Sequence, residues 1–243
     1  AMSSVLVLRL AGPMQSWGSS SRFTRRSTEA FPTKSALVGL LAAAQGRRRS
    51  DPIEDLAELR FAVRVDQPGQ LLRDFHTAHR DDTPMPLSDR FYWADATFGA
   101  FIEGPEDMID GLAEAIVRPV FPLYLGRRSC PPTLPLRLAV RTGSAWDALR
   151  ETPWMASAYY QKKQRHEQYV SVRVVADQGI IPSDVGVSFE HTIQDVPISF
   201  DSERRTYTLR TVEEARVDLE NPQYVEARPN AGPGLVHDPM EVL

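Results

Sequence analysis

Strand-like and helix-like segments alternate along residues 4–142 in the order strand, helix, strand pair, helix, strand. The first strand, residues 4–10, is rich in Val and Leu and ends before Gly12 and Pro13, which break regular structure. The helix over residues 33–46 has apolar side chains spaced three and four apart, with a hydroxyl cap at its start and a glycine after its last turn. This order predicts an α+β fold with a ferredoxin-like, RRM-related βαββαβ unit.

The later segments complete the unit. Residues 60–67 and 70–77 flank a Pro-Gly turn, which predicts a hairpin. Residues 91–103 are typical of one long strand, and the acidic start of residues 105–117 indicates a second helix. Two further strands are expected at residues 119–126 and 136–142.

The pattern weakens after residue 141. We therefore expect a ferredoxin-like domain over residues 1–141 and a smaller C-terminal region over residues 142–219, with strands at 168–176 and 204–218. Residues 220–243 are rich in Pro, Asn and Gly and are typical of a flexible tail.

Composition narrows the class of protein. No apolar run approaches eighteen residues, so neither a membrane span nor a signal peptide is expected. The single cysteine, Cys130, has no partner for an internal disulfide, which fits a reducing compartment. We expect a cytoplasmic protein.

Charge is segregated along the chain, although the net charge is only −4. Residues 1–50 hold eight cations against one anion, residues 51–117 hold five against fifteen, and residues 118–150 hold six against one. A fold that brings the two basic blocks together creates a surface for a polyanion, while the rest of the protein surface keeps the protein soluble. Chance clumping of charges is the alternative.

Cations and hydroxyl residues are interleaved in the opening loop, residues 12–35. Such a mixture supplies donors for phosphate and sugar oxygens, and its cations are Arg22, Arg25, Arg26 and Lys34. Trp17 and Phe23 offer faces on which an unpaired base can stack, a contact worth on the order of 1–3 kcal/mol, although Trp17 fits a core edge equally well. Lys34 and Ser35 lie at the start of the predicted helix, where free N–H groups favour an anion.

The second basic loop contains Gly126, Arg127, Arg128 and Ser129. A glycine lets the backbone approach a phosphate closely, and paired arginines can grip it in forked geometry. In a ferredoxin-like unit this loop can meet the opening loop on one side of the sheet. The two loops together predict a positive groove.

The usual signatures of catalysis are missing from the sequence. It has neither a GxxxxGK[ST] phosphate loop nor a GxGxxG turn. His76 and His79 form an HxxH pair, but outside a helix their side chains need not converge, so a polar hairpin is the better interpretation. Cys130 has no indicated base and fits an inert thiol better than a nucleophile. We expect no metal and no cofactor.

Four spaced strings, LRLAGPMQSWG, FPTKSALVGLLAAAQGRRR, LRDFHTAH and YLGRRSCPP, carry a family resemblance over residues 4–141. They resemble the Cas-five branch of the RAMP superfamily, and within it the CasD-type subunits of type I-E CRISPR Cascade complexes, which act in antiviral defence. The resemblance implies a ferredoxin-like fold, a glycine-containing loop before the last strand, and a β-hairpin thumb, placed here at about residues 71–97.

The resemblance also implies partners and roles. A subunit of this kind holds the 5′ handle of the crRNA, caps the backbone filament, contacts the backbone subunit and the large PAM-reading subunit, and meets target DNA only through the ribonucleoprotein complex. Gln15, Ser16 and Trp17 would then shape base pockets. The expected phosphate contacts are Arg22, Arg25, Arg26, Lys34, Ser35, Arg127 and Arg128. His76, Arg80 and Arg90 would lie on or near the thumb and meet the handle or the backbone subunit.

An enzymatic alternative stays open at this point. A relative in type I-C complexes is itself the ribonuclease that processes guide RNA. Metal-independent RNA cleavage needs a base near the 2′-OH and an acid or cation at the leaving oxygen. Lys34, His76 and Tyr92 are the residues that this alternative would use. Because the whole set of strings matches the type I-E subunit, a binding role is the main expectation.

Overall fold

The computed structural model describes residues 3–18, 25–77, 79–80, 83–84, 88–201 and 206–226, and at residues 25–26, 76, 79–80 and 83–84 it describes the backbone only. Within these ranges no helix is long and apolar enough to cross a membrane. In chain order the elements are β1 (Ser3–Ala11), β2 (Met14–Gln15), β3 (Arg25–Arg26), α1 (Lys34–Gln45), α2 (Glu54–Glu58), β4 (Arg60–Gln67), β5 (Gln70–His76), β6 (His79–Arg80), β7 (Thr83–Pro84), β8 (Ser88–Ala94), β9 (Thr97–Pro105), α3 (Glu106–Val117), β10 (Arg137–Thr142), α4 (Ala145–Glu151), α5 (Ala158–Lys163), β11 (Tyr169–Asp177), β12 (Phe189–Ser199) and β13 (Thr206–Glu220).

Four antiparallel strands and two helices form the expected ferredoxin-like unit. The strands lie in the spatial order β10-β1-β9-β4, so the fourth strand of the unit is followed by its first, third and second. Helix α1 lies between β1 and β4 along the chain, α3 lies between β9 and β10, and the two helices pack against each other. The prediction of an α+β, ferredoxin-like βαββαβ unit is confirmed.

The sheet is buried on both faces, which explains the apolar run in β1. Leu6, Leu8 and Leu10 belong to the core beneath α1 and α3. Val5 and Val7 belong to a second core that includes residues of α4 and the segment after it. Because successive residues of a strand point to opposite faces, a strand covered on both sides needs apolar residues at nearly every position.

The C-terminal region continues the main sheet, which corrects the expected division at residue 142. Strand β11 pairs with β4, β13 follows and β12 forms the far edge, giving one seven-stranded sheet. This pairing covers the edge that β4 would otherwise leave open. The strands expected at 168–176 and 204–218 correspond to β11 and β13, whereas α5 and β12 were not predicted. Asn221 donates to the Gln161 and Gln164 carbonyls, and residues 227–243 of the expected tail lie outside the described residues.

A buried arginine joins α4 and the segment after it to the sheet. Arg64 and Asp66 are inaccessible to solvent and pair at 2.7 Å between Nε and Oδ1. The Arg64 guanidinium also donates to the carbonyls of Leu149, Thr152 and Pro153, at and just beyond the end of α4. Because Arg64, Asp66, Leu149 and Thr152 are all buried, these bonds hold α4 and the segment after it against the sheet.

A β-hairpin is inserted between β4 and β9, where the thumb was expected. Strand β5 pairs along the length of β8, from Gln70↔Ala94 to His76↔Ser88. The short strands β2 and β3 also pair with β8. The single strand expected at residues 91–103 is therefore two strands, separated at Asp95, whose φ of 54° is in the left-handed region and interrupts the extended chain.

The strand expected at residues 119–126 is not formed. Pro119 and Pro122 lack the N–H groups that a ladder needs. The N–H groups of Val120 and Phe121 donate instead to the carbonyls of Ala44 and Ala43, at 3.0 and 3.2 Å. This segment therefore satisfies the last turn of α1 rather than extending the sheet.

Candidate nucleic-acid interface

The two basic loops meet through their backbones. The Ser16 N–H donates to the Leu125 carbonyl at 3.1 Å. The next residue, Gly126, has a φ of +89°, and a Cβ built on it would lie 1.7 Å from the Ser16 carbonyl oxygen. Only glycine fits so close a backbone approach at a positive φ. The expectation that the fold brings these loops together agrees with this geometry.

The base of the thumb joins the two loops. The Phe91 carbonyl accepts hydrogen bonds from Ser16 Oγ and Arg127 Nη1, both at 3.1 Å. The Arg127 guanidinium carbon also lies 4.7 Å from the centroid of the buried Tyr92 ring. Three segments that are distant in sequence thus converge at one point, and Arg127 is partly held by the protein itself.

Further cations lie around this junction. Arg128 is exposed and Arg90 is partly exposed, and neither has an ion-pair partner among the residues that the structure describes. Backbone pairing places Arg26 opposite Arg90 and Arg25 opposite Asp89, since β3 runs parallel to β8. The junction therefore brings together backbone segments of the opening loop, the thumb and the glycine loop that each carry cationic residues.

Gln15, Ser16 and Trp17 support the junction from within. They are 0%, 2% and 0% exposed. Gln15 Nε2 donates to the Leu10 and Ala96 carbonyls, and the Trp17 ring packs edge-on against Phe98 at 6.4 Å between centroids. The open question about Trp17 is thus answered by core packing. None of the three side chains is accessible here, so the expectation that they shape base pockets stays a prediction of indirect support rather than of contact with a base.

Lys34 and Ser35 lie in the protein interior, contrary to the expectation that they hold phosphate. Lys34 Nζ pairs with Asp177 Oδ2 at 3.1 Å and donates to the Leu59 carbonyl at 2.9 Å. Ser35 Oγ lies 3.3 Å from Thr33 Oγ1. Burial lowers the pKa of Lys34, and the neighbouring Asp177 carboxylate opposes that shift.

The start of α1 does attract an anion, but the anion belongs to the protein. Asp195 Oδ2 accepts the Lys34 N–H at 2.7 Å, and Thr33 Oγ1 caps the helix by accepting the Ala36 N–H. Arg210 pairs with both Asp195 and Asp177, at 2.6 and 2.5 Å. Because the Lys34 and Ala36 N–H groups are used by these carboxyl and hydroxyl groups, and Asp195 occupies the position of an anion, the structure has no open phosphate site at this end.

Several predicted residues cannot be assigned side-chain positions. Arg22 lies outside the described residues, and the side chains of Arg25, Arg26, His76 and Arg80 are not described, although their backbones belong to β3, β5 and β6. Of the three residues in the nuclease alternative, Lys34 is paired with Asp177 and Tyr92 is 3% exposed beneath Arg127. No described contact joins Lys34 to Tyr92.

Some contributions were not foreseen from the sequence. Trp17 N–H donates to Thr28 Oγ1 at 2.8 Å, and Trp93 Nε1 donates to the Glu29 carbonyl at 2.7 Å, so the end of the opening loop is tied to the thumb. Cys130 is buried beside the glycine loop, and burial raises the pKa of its thiol. That shift agrees with an inert thiol.

Comparisons with known proteins identify relatives. The family model described as "CRISPR-associated protein (Cas_Cas5)" matches residues 5–213. "CRISPR system Cascade subunit CasD" of Escherichia coli (strain K12) is 39% identical over 159 residues, which are 56% of this chain and 71% of that protein.

Two solved structures are also similar. One, described as "CRISPR RNA-guided surveillance complex", has a TM-score of 0.73 and 32% identity, covering 93% of this chain and 95% of the other. A second, described as "Crystal structure of Cas protein", has a TM-score of 0.64 and 31% identity, covering 93% of this chain and all of the other.

Proposed function

We propose, because this chain belongs to the CRISPR-associated protein (Cas_Cas5) family, that it is a non-catalytic crRNA-binding subunit of a type I-E Cascade surveillance complex. Its task is to hold the 5′ handle of the guide RNA and to cap the backbone filament. Its protein neighbours in the proposal are the backbone subunit and the large PAM-reading subunit, and it meets target DNA only through the complex.

One observation carries the RNA-binding proposal: Gly126 packs against the Ser16 carbonyl at the base of the thumb. This contact turns two basic blocks, separated by an acidic stretch of the chain, into one cationic surface. Arginine side chains on such a surface bind phosphates through forked hydrogen bonds. A single-stranded RNA handle is a polyanion of matching chemistry.

The cations divide into two groups by what else they contact. Arg128 and Arg90 have no ion pair within the described part of the chain and are the proposed phosphate contacts, together with Arg25 and Arg26 of β3. Arg127 contacts the Phe91 carbonyl and the Tyr92 ring, so its proposed role is to hold the loop in place. Trp17 and Gln15 support the same surface from the core.

The test uses the reconstituted ribonucleoprotein complex and a labelled handle RNA. The double substitution Arg25→Glu/Arg26→Glu should weaken handle binding and lower the slope of log affinity against log salt by about 0.7 for each phosphate that the protein no longer neutralises. The matched control is Lys162→Glu/Lys163→Glu, which makes the same charge change at two exposed residues of α5. Equal effects in both variants would contradict the proposed location.

Catalysis is tested in the same samples. Repeat RNA is incubated in EDTA with the wild-type complex and with the Lys34→Ala and His76→Ala variants. The binding proposal expects no site-specific cleavage attributable to this chain. Cleavage that disappears in His76→Ala, or in a Lys34→Ala variant that keeps wild-type stability and assembly, would overturn the non-catalytic assignment.

A further inference from the structure

The two edges of the seven-stranded sheet are protected to different degrees. The edge strand β12 contains Pro197, two register shifts and the inward-pointing Asp195, which is fully buried. Prolines, bulges and inward charges are devices that prevent another chain from pairing with an edge. The opposite edge strand, β10, pairs with β1 alone within the described residues and has one register shift, but it contains no proline and leaves Val140 38% exposed.

A groove of about 810 Å³ lies beside the start of β10. It is bounded by the last turns of α1 and α3 and by Arg137, the first residue of β10. Val117 and Val120 both line it and are 54% and 65% exposed. The groove therefore offers an apolar surface next to an open strand edge.

The groove is held in shape by the protein. Val120 N–H donates to the Ala44 carbonyl at 3.0 Å, so the segment after α3 is tied to the end of α1. Gly46, with a φ of +79°, admits this segment, since a Cβ on it would lie 2.7 Å from Val120 Cγ1. A preformed site loses less conformational freedom when it binds a partner.

Cations on the groove are not equally available. Arg47 makes a bidentate pair with Asp55, and this pair lowers the pKa of the Asp55 carboxyl. Arg118 and Arg137 also line the groove, and neither has an ion-pair partner within the described ranges. The one acidic lining residue is Glu114. Two available guanidinium groups beside an aliphatic surface are complementary to a segment that has both carboxylate and apolar side chains.

We propose that this groove and the β10 edge together dock an extended segment of a partner protein. The segment adds a strand to β10, packs aliphatic side chains against Val117 and Val120, and presents a carboxylate to Arg118 and Arg137. A protein segment fits better than nucleic acid, because the lining combines aliphatic side chains with arginines and includes no aromatic residue on which a base could stack. The inference rests on the proposed assembly of the chain into a protein–RNA complex, but it uses a surface separate from the loop junction.

The experiment incorporates a photoreactive phenylalanine analogue, p-benzoylphenylalanine, at position 117 and irradiates the reconstituted complex. We expect a crosslink to a protein subunit, mapped by mass spectrometry to a segment that carries carboxylate and aliphatic residues. The same probe at Tyr159, which is 77% exposed on α5, is the position control. A crosslink from position 117 only to RNA, or none to protein, would overturn the inference.

The affinity arm uses Arg118→Glu/Arg137→Glu and, as its charge-matched control, Lys162→Glu/Lys163→Glu. We expect the first variant to weaken assembly with the protein subunits by about tenfold or more while it binds handle RNA like the wild type. Thermal melts of the isolated variants exclude misfolding as the cause. Wild-type assembly of Arg118→Glu/Arg137→Glu would contradict the docking inference and leave the proposed function intact. Failure of the wild-type chain to join any complex would contradict the proposed function first.

Discussion

The start of α1 and the glycine loop are both basic, but the fold uses them in different ways. Lys34 is buried among carboxylates contributed by β11 and β12, and it joins the C-terminal half of the sheet to the first helix. Arg128 remains exposed, and Arg127 donates to the Phe91 carbonyl of the thumb. Basic character therefore marks a ligand surface only where the fold leaves the cation without an internal acid.

The first and largest prediction concerns the buried side of this comparison. Asp195→Ala removes the partner of Arg210 and of the Lys34 N–H, leaving a buried guanidinium without one of its carboxylates. We expect a loss of about 3–5 kcal/mol in the free energy of unfolding. Urea unfolding measures it as a lower midpoint at an unchanged m-value.

The matched control for Asp195→Ala is Asp218→Ala, at an exposed position of the neighbouring strand β13. It should change the free energy of unfolding by less than about 0.5 kcal/mol. Handle RNA affinity of folded Asp195→Ala should match the wild type. Stronger RNA binding by this variant would show that the start of α1 is a latent phosphate site, and the contrast between the two basic segments would fail.

The second prediction concerns the contact that creates the cationic surface. Gly126→Ala places a methyl group against the Ser16 carbonyl, so the glycine loop must move away from the opening loop. We expect a loss of about 1–3 kcal/mol in the free energy of unfolding and at least tenfold weaker handle binding. Calorimetry and fluorescence anisotropy measure the two effects.

Gly186→Ala is the control that distinguishes the steric effect of a methyl group at position 126 from the effect of a positive φ. Gly186 has a similar positive φ of +77°, but a Cβ there would meet nothing within 4 Å. It should show only the cost of a left-handed alanine, about 1 kcal/mol, and wild-type RNA affinity. If Gly126→Ala and Gly186→Ala behaved alike, the loop contact would have no part in RNA binding.

The main unit of the fold is predictable from sequence because its signals are local. The apolar run of β1, the Thr33 cap and Gly46 at the end of α1 each act within a few residues, and the structure has them as expected. The extension of the sheet by β11, β13 and β12 depends instead on pairing with β4 across more than a hundred residues. No local pattern in β4 shows which strand will cover it.

The candidate site also combines features that have local sequence signals with features that depend on distant residues. That two basic loops meet follows from the topology of the unit, and Gly126 is a local signal for close backbone approach. Whether a given cation is free depends on partners far along the chain, such as Asp177, which is 143 residues from Lys34. Trp17 illustrates the limit for apolar groups, since the sequence around an indole that packs edge-on against Phe98 looks the same as that around one that stacks on a base.

The third prediction concerns the exposed side of the comparison. Arg128→Ala removes a cation with no described internal partner, so the free energy of unfolding should change by less than about 0.5 kcal/mol. Handle affinity should fall about fivefold, which is about 1 kcal/mol, and the salt slope should fall by about 0.7. Arg150→Ala, an exposed arginine of α4, is the control and should leave both binding quantities unchanged. A decrease in stability with an unchanged salt slope would place Arg128 in the scaffold.

The fourth prediction, which has the smallest expected effect, distinguishes the role of Arg127 from that of Arg128. Arg127→Lys keeps the charge but removes the planar contact with Tyr92 and the geometry of the bond to the Phe91 carbonyl. We expect a decrease of about 0.5–1 kcal/mol in the free energy of unfolding and of less than about threefold in RNA affinity, with the salt slope unchanged because the charge remains. Titrations of handle RNA across a salt series, combined with urea unfolding, measure these quantities. An affinity decrease as large as that of Arg128→Ala, at wild-type stability, would make Arg127 a phosphate contact rather than the residue that positions the loop.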